Sequence, residues 1–113
     1  SNGLSQASYN LGLMYELGKG VPQDYDSAAK WYKKAAENGN ANAQNNLAVL
    51  YMRGLGVPQD YKSVVTWFNE AALQNKLSAQ YNLGFMHEKG LGTEKNYYSA
   101  FNWYKKQPPR GLQ

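Results

Sequence analysis

Catalysis needs a nucleophile, an acid–base group or a metal ligand close to a second such group, and this sequence offers few candidates. The single histidine, His87, precedes Glu88, but the second histidine of the zinc-binding H-E-x-x-H pattern is absent. The chain contains no cysteine, which excludes disulfide bonds and thiolate ligands. Its 8 acidic residues are spread out, with no pair placed for acid–base catalysis. We therefore predict no catalytic residue, no metal site and no cofactor, and expect that the protein is not an enzyme.

Two recurring motifs that could carry chemistry have structural interpretations. Ser27, Ser63 and Ser99 are evenly spaced, but no base accompanies them, so we interpret them as helix-start residues. Three Gly-x-Gly pairs, the first at Gly18, lack the lysine and serine of a phosphate-binding loop, and no strand precedes them. We predict that these glycines end helices, because glycine adopts a left-handed backbone without steric cost.

The charge pattern argues against nucleic acid as the partner. The chain has 12 basic and 8 acidic residues, a net charge of +4. Lys33-Lys34 and Lys105-Lys106 occupy equivalent positions, but Asn69-Glu70 interrupts the stripe between them. No apolar run approaches the ~18 residues of a membrane-spanning helix. An aromatic content of 14% excludes a disordered chain. We predict no nucleic-acid binding and no membrane insertion.

These motifs belong to a repeat with a period of 36 residues, visible when the sequence is shifted against itself. The segment Val21–Tyr25 returns unchanged as Val57–Tyr61 and has diverged at Thr93–Tyr97. The other aligned sets are Ala7, Ala43 and Ala79; Leu11, Leu47 and Leu83; Tyr15, Tyr51 and His87; and Trp31, Trp67 and Trp103. We predict one domain over residues 1–113, with repeats at about 5–40, 41–76 and 77–110.

Each repeat predicts two amphipathic helices, because apolar residues recur at intervals of three and four. In the first repeat they are Ala7, Leu11, Met14 and Tyr15, then Ala28, Trp31, Tyr32, Ala35 and Ala36. Asp24 is the predicted N-cap of the second helix. The six helices are predicted near 5–18, 25–38, 41–54, 61–75, 77–90 and 97–107.

Small residues predict how these helices pack. Gly12, Ala48 and Gly84 lie in the middle of first helices, which favours close approach of the two helices within a repeat. Trp31 and its equivalents are expected to fill the space between repeats. One helix pair cannot bury its own apolar stripe, so the pairs must stack. The predicted fold is all-α, a right-handed superhelical α-solenoid of three helix-turn-helix repeats with six helices.

The repeat resembles the tetratricopeptide class, whose period is 34, and more specifically the Sel-one-like repeat (SLR). The resemblance depends on Tyr-x-x-Gly-x-Gly-Val-Pro-Gln-Asp-Tyr followed by Ala, Trp-Tyr and Ala-Ala, and it extends from about Ser5 to Lys106. The third copy departs at Thr93–Lys95, at His87 and at Gln107-Pro108, as a terminal or degenerate copy would.

The resemblance implies a non-catalytic adaptor or scaffold for protein complexes, of a kind common in bacteria and often tied to signalling and host interaction. One subgroup of the family has a disulfide in each repeat, and the absence of cysteine separates this chain from it. Since first helices line the concave side of related solenoids, the resemblance also implies a groove for a protein or peptide partner there.

The groove residues follow from a helical projection of the first helices. They occupy the arc opposite the packing face and mix aromatic, apolar, amide and charged side chains, as peptide grooves do. They are Tyr9, Asn10, Leu13, Glu16 and Leu17; Asn45, Asn46, Val49, Met52 and Arg53; and Tyr81, Asn82, Phe85, Glu88 and Lys89. We expect this arc not to be needed for packing within a repeat.

Asn10, Asn46 and Asn82 are identical in all three copies. One interpretation is a ladder that holds a peptide backbone or a terminal carboxylate, as the equivalent asparagine does in tetratricopeptide domains. The other is that each asparagine bonds between repeats or is simply solvated.

An alternative to the adaptor is a structural spacer or assembly segment of a larger secreted or envelope protein, without a ligand groove. RNA binding is a third and weaker hypothesis. The ends of a cut array would expose apolar faces through which two copies could dimerise. The chain lacks a starting methionine and a signal peptide, so we expect a piece of a longer bacterial protein, periplasmic, secreted or cytoplasmic, with its targeting signal elsewhere.

Overall fold

The computed structural model describes residues 2–109 and contains six α-helices and no strand within that range. They are α1 (Asn2–Leu17), α2 (Tyr25–Glu37), α3 (Ala41–Arg53), α4 (Tyr61–Ala72), α5 (Leu77–Lys89) and α6 (Tyr97–Tyr104). The predicted all-α class and the six helices are confirmed. The last residue of the predicted third repeat, 110, lies outside the described residues.

Three helix ends differ from the prediction. α1 begins at Asn2 rather than near residue 5. α4 ends at Ala72, because the chain turns there and Asn75 takes a left-handed conformation with φ 66°, where the first repeat has Gly39. α6 ends at Tyr104 instead of residue 107, because the segment that follows runs into Pro108 and Pro109, which cannot continue a helix.

Each helix packs mainly against the helices before and after it in the chain, which is the arrangement of an α-solenoid. Two core clusters result, one at each junction between repeats. The first core cluster comprises Ala28, Ala29, Tyr32, Ala35, Ala36, Ala43, Leu47 and Leu50. The second core cluster comprises Ala48, Val64, Phe68, Ala71, Ala72, Ala79, Leu83 and Met86. The protein therefore has a serial core rather than one central core.

The predicted close approach within a repeat is confirmed at both mid-helix glycines. A Cβ atom on Gly12 would lie 2.5 Å from Cδ1 of Tyr32, and one on Gly84 would lie 2.9 Å from Cε1 of Tyr104. Neither distance is sterically possible without movement of the ring. Each glycine therefore makes room for a tyrosine ring of the second helix.

Two expectations about the core are wrong for the first repeat. Leu11 and Met14 are 37% and 41% exposed, whereas the equivalent Leu47 and Leu50 are buried. Trp67 packs against both core clusters, but Trp31 belongs to neither. The reason is geometric: this face of a repeat packs on the second helix of the preceding repeat, and no repeat precedes α1 within the described residues.

Side-chain N-caps start the second helix of every repeat. Asp24 accepts from the backbone N–H of Ser27, Asp60 from those of Lys62 and Ser63, and Asn96 caps α6 in the same way. Ser27 and Ser63 also donate their hydroxyls to these carboxylates, at 2.8 and 2.9 Å. The helix-start role predicted for these serines is confirmed.

The same bonds act on the acidity of the two aspartates. The serine hydroxyl and backbone N–H bonds lower the pKa values of Asp24 and Asp60 from their ordinary value of 3.8. A depressed folded-state pKa contributes stability that is present above the unfolded-state pKa and is lost as the pH falls through the folded-state pKa.

We predict that the double variant Asp24→Asn/Asp60→Asn flattens the acid dependence of stability. Asparagine caps without titrating, as Asn96 does, so wild type should lose thermal stability relative to the variant as the pH falls below about 4. Thermal unfolding followed by circular dichroism between pH 7 and pH 2.5 measures this difference. Asp24→Ala/Asp60→Ala is the control and should lower the Tm at pH 7. Parallel Tm profiles of wild type and the asparagine variant would contradict the prediction.

The Gly-x-Gly pairs end the first helices, as predicted, and also join the repeats. Gly54 and Gly90 are left-handed C-caps with φ of 66° and 71°. The second glycine of each pair, at Gly56 and Gly92, lies against the carbonyl of the first residue of the preceding repeat's second helix, so a Cβ atom would overlap that carbonyl. Gly20 has a similar φ of 78° but meets only the end of Met14.

We predict that Gly56→Ala and Gly92→Ala destabilise the protein far more than Gly20→Ala. All three substitutions strain a left-handed backbone by about 1–2 kcal/mol, but only the first two also push neighbouring repeats apart. Urea unfolding of the three variants measures the difference, and Gly20→Ala is the matched control. Equal losses of stability would show that backbone strain alone accounts for the effect.

Candidate peptide-binding surface

The fifteen predicted groove residues are here called the groove surface, and the structure places them on α1, α3 and α5. Their exposure is uneven. Five are exposed: Asn10, Leu17, Arg53, Tyr81 and Lys89. Nine are half-buried: Tyr9, Leu13, Glu16, Asn46, Val49, Met52, Asn82, Phe85 and Glu88. Asn45 is buried, at 9% exposure. The surface is therefore a set of exposed side chains above a half-buried layer.

The half-buried layer corrects one expectation. Tyr9 and Leu13 pack against the first core cluster, and Val49, Met52 and Phe85 pack against the second. The expectation that this arc is not needed for packing within a repeat is wrong, because these side chains close the cores from the side of the first helices. They do so while part of each remains open to solvent.

Two carboxylates of the groove surface are bonded to second helices. The Tyr32 hydroxyl donates to Oε1 of Glu16 at 2.5 Å, and the Tyr104 hydroxyl donates to Oε1 of Glu88 at 2.7 Å. Burial raises the pKa values of both tyrosines well above their ordinary range, and the bonds to glutamate raise them further. Both phenols therefore remain hydrogen-bond donors at any physiological pH.

The middle repeat replaces this polar pair with an apolar one. Its equivalents of Tyr32 and Glu16 are Phe68 and Met52. Phe68 belongs to the second core cluster, and Met52 packs against that cluster. The two positions therefore change together along the chain. Either pair satisfies its buried atoms, whereas a mixed pair would leave a hydroxyl or a carboxylate without its partner.

We predict that Tyr32→Phe and Glu16→Met each destabilise the protein by about 1–2 kcal/mol, and that the double variant recovers part of the loss. Each single change leaves one polar group without its hydrogen-bond partner, and the double change reproduces the Phe68–Met52 pair. Chemical unfolding of the four proteins gives the coupling free energy. Strictly additive losses would mean that the hydrogen bond is not what couples the two positions.

Aromatic rings support the groove surface at its two ends. The rings of Tyr9 and Tyr32 are 6.0 Å apart, and those of Tyr81 and Tyr104 are 5.4 Å apart, with tilted planes. Tyr81 is nevertheless 50% exposed, so one side of its ring is open. In the middle repeat the equivalent residue is Asn45, whose Oδ1 accepts from the Ser78 hydroxyl at 3.3 Å and so links α3 to α5.

The three identical asparagines have three different surroundings. Asn10 accepts from the Gln6 side chain at 3.1 Å. Asn46 donates to the Tyr32 hydroxyl at 3.4 Å, across the junction between repeats. Asn82 makes no side-chain hydrogen bond to another described residue and is half-buried. The structure thus gives Asn46 an inter-repeat role and leaves the amide of Asn82 available.

Sequence reasoning missed a set of structural glutamines. Gln44 and Gln80 are buried and donate to the carbonyls of Ala36 and Ala72, each at 3.1 Å, so each first helix is bonded to the end of the helix before it. Other glutamines bond helix ends too: Gln23 and Gln59 donate to the carbonyls of Glu16 and Met52, each at 2.8 Å. Their recurrence at the 36-residue period was the available signal.

The remaining chemistry-bearing residues do not assemble into a site. His87 is half-buried at the position of Tyr51, and its Nδ1 has no hydrogen-bond partner among the described residues. Across residues 2–109, no three His, Cys, Asp or Glu side chains come together as a metal site would require. Within the same range, no helix combines the length and the apolar character needed to cross a membrane.

Helix pairs that stack through serial cores define the chain as an α-solenoid repeat protein. The model of the Sel1 repeat family matches residues 5–40, 41–76 and 77–106, and the chain belongs to this family. The resemblance drawn from the sequence is confirmed. Sel1 repeats are in general protein-interaction scaffolds with a non-catalytic fold.

Solved structures of Sel1-like proteins superimpose closely. The structure of c5321, a protective antigen present in uropathogenic Escherichia coli strains that displays an SLR fold, matches with a TM-score of 0.90 at 46% identity over 92% of this chain. A Sel1 repeat protein from Oxalobacter formigenes matches with a TM-score of 0.88 at 38% identity over 90% of this chain. The chain spans 22% and 42% of the lengths of these two proteins.

Two further comparisons concern one protein of lower sequence identity and one match over a short stretch. Helicobacter pylori cysteine rich protein B shares the fold, with a TM-score of 0.73 at 21% identity over 92% of this chain and 85% of its own. A chitin synthase regulator of Saccharomyces cerevisiae, SKT5, is 50% identical over 36 residues, which is 32% of this chain and 5% of the yeast protein. That match is the length of a single repeat.

Proposed function

We propose that this chain is a binding module that holds an extended peptide segment of a partner protein along the groove surface. The observation that carries the proposal is at the third repeat. The half-exposed ring of Tyr81 stands beside Asn82, whose amide makes no hydrogen bond within the described residues. An open aromatic face next to an available amide supplies one apolar anchor and one pair of backbone-binding groups.

The support beneath this pair favours recognition without rearrangement. Tyr81 rests on Tyr104, and Tyr104 is fixed by its bond to Glu88 and by the close approach of Gly84. Side chains held in one orientation lose little conformational entropy on binding. The third repeat therefore offers a preorganised contact. The first repeat has the same residue types at Tyr9 and Asn10, but there Tyr9 is half-buried and the Asn10 carbonyl accepts from Gln6.

The charges of the groove surface suggest a partner of mixed polarity. Glu16 and Glu88 contribute two carboxylates, and Arg53 and Lys89 contribute two cations. These charges lie among apolar side chains such as Leu17, which is 57% exposed. A strongly charged partner would meet repulsion somewhere along this surface, so a peptide with apolar and polar residues in alternation fits best.

The test uses a phage library of random decapeptides selected against the whole chain. Peptides recovered in this way should shift the amide resonances of α1, α3 and α5 in NMR spectra. Asn82→Ala and Tyr81→Ala should each weaken their binding by about tenfold, because each removes one anchor. Neither change should lower the Tm by much, since both side chains are partly open to solvent. Lys62→Ala, on the exposed side of α4, is the control and should bind as wild type does.

Two outcomes would overturn the proposal. The first is a library that yields no enriched peptide, which would favour the structural spacer. The second is a set of peptides whose affinity is unchanged by Asn82→Ala and Tyr81→Ala, which would place the contact elsewhere on the chain.

A further inference from the structure

We infer that a second binding site, for a carboxylate attached to an apolar group, lies in the cleft between α2 and the loop that follows α3. The cleft has a volume of about 350 Å³, within the range of small-ligand sites. Its floor is formed by Ala29, Leu47, Tyr51 and Val57. The cleft is separate from the groove surface and is not part of the proposed peptide contact.

A small side chain lies on the α2 side of the cleft. Ala29 and Gly56 both line it, and the atoms nearest to Gly56 are main-chain atoms of Tyr25 and Asp26 rather than a side chain of α2. At the second junction, the residue equivalent to Ala29 is Val65, and its Cγ2 would lie 3.0 Å from a Cβ on Gly92. Valine thus reaches across the space that alanine leaves open.

The rim of the cleft is cationic. Lys30 and Lys33 line it together with a single carboxylate, Asp26. Neither lysine forms an ion pair within 4 Å of a carboxylate of the described residues, but the charge of Lys30 also acts on Asp24. Lys33 is therefore the ammonium group more available to an anion. At the second junction the equivalents of Lys30 and Lys33 are Thr66 and Asn69, and Lys62 stands in place of Asp26, so the Lys30–Lys33 pair is not repeated there. The small Ala29 and the Lys30–Lys33 pair therefore occur together at the first junction, and neither is repeated at the second.

The position of the cleft on α3 separates it from the groove surface. Leu47 and Tyr51 are four residues apart and share one face of the helix. Asn46, Val49 and Arg53 project from the opposite face at 100° per residue. A ligand in the cleft would therefore contact α3 from the side of α2, and the groove surface could be occupied at the same time.

The ligand class follows from the floor and the rim together. An aliphatic or aromatic group of about ten heavy atoms or fewer fits the apolar floor, and its carboxylate reaches the ammonium groups at the edge. Two sources share this chemistry: the C-terminal residue of a peptide and a free small carboxylate. N-acetyl-glycyl-leucine represents the first and 4-phenylbutyrate the second.

The experiment titrates each probe into the whole chain and follows the amide resonances of Ala29, Tyr51 and Val57 by NMR. At least one probe should bind, and its neutral counterpart, N-acetyl-glycyl-leucinamide or 4-phenylbutanol, should bind at least about fivefold more weakly because it lacks the charge. A response to the peptide probe alone identifies a peptide C-terminus as the ligand source, and a response to phenylbutyrate alone identifies a free carboxylate.

Two variants test the cavity and the charge separately. Ala29→Val should abolish binding by filling the cleft, and it is compatible with the fold because Val65 occupies the same position at the next junction. Lys33→Asn should weaken binding of the charged probe at least about fivefold and leave the neutral probe unaffected. The matched control is Lys105→Asn, the same change at the equivalent position of the third repeat, directly after α6, which should bind as wild type does.

The inference is overturned if neither probe shifts these resonances at millimolar concentration, if charged and neutral probes bind equally, or if Ala29→Val leaves binding intact. Each of these results is independent of the groove surface. Loss of the peptide contact by Asn82→Ala would leave probe binding in the cleft unchanged, so the two proposals can fail separately.

Discussion

The contact between a glycine and the start of the preceding second helix sets the spacing of the whole array. At Gly56 and Gly92 the loop backbone rests on the carbonyls of Tyr25 and Tyr61, with no room for a side chain. This contact fixes how closely one repeat can approach the next. The glutamine bonds from Gln44 and Gln80 then fix the other end of the same junction. With both ends held, the alanine-rich faces between them can pack without a large central core.

A fixed spacing lets side chains vary in matched groups from one repeat to the next. Tyr32 with Glu16 becomes Phe68 with Met52, so a six-membered ring is kept while the hydroxyl and the carboxylate that bonds it are lost together. Ala29, which lines the cleft at the first junction, becomes Val65, whose Cγ2 lies close to the Gly92 loop at the second. The scaffold thus remains constant while each junction acquires its own surface. Variation of this kind is what allows one repeat architecture to recognise different partners.

The repeat, the helix pairs, the caps and the close approach at Gly12 could all be predicted, because each depends on residues near one another in the chain or on the period itself. The contacts of the groove surface were harder to predict. A helical projection separates the two sides of α1, α3 and α5, but it cannot show that Glu16 is bonded to a tyrosine of α2 or that Asn45 is buried against Ser78. Those contacts depend on how helices are placed in space. The cleft was beyond sequence reasoning for the same reason, since it is defined by the size of Ala29 relative to a loop that lies twenty-seven residues further on.

α3 shows how a short helix serves three purposes in such a fold. Leu47 and Leu50 are buried in the first core cluster, while Asn46 and Val49 face the groove surface. Leu47 and Tyr51 also line the cleft beside α2. A middle helix is enclosed by a neighbour on either side, whereas α1 leaves Leu11 and Met14 partly exposed. Sites that depend on two adjacent repeats are therefore complete only at internal junctions. For that reason the groove surface gains from every added repeat, whereas the cleft belongs to the particular junction where the small Ala29 lies beside Lys30 and Lys33.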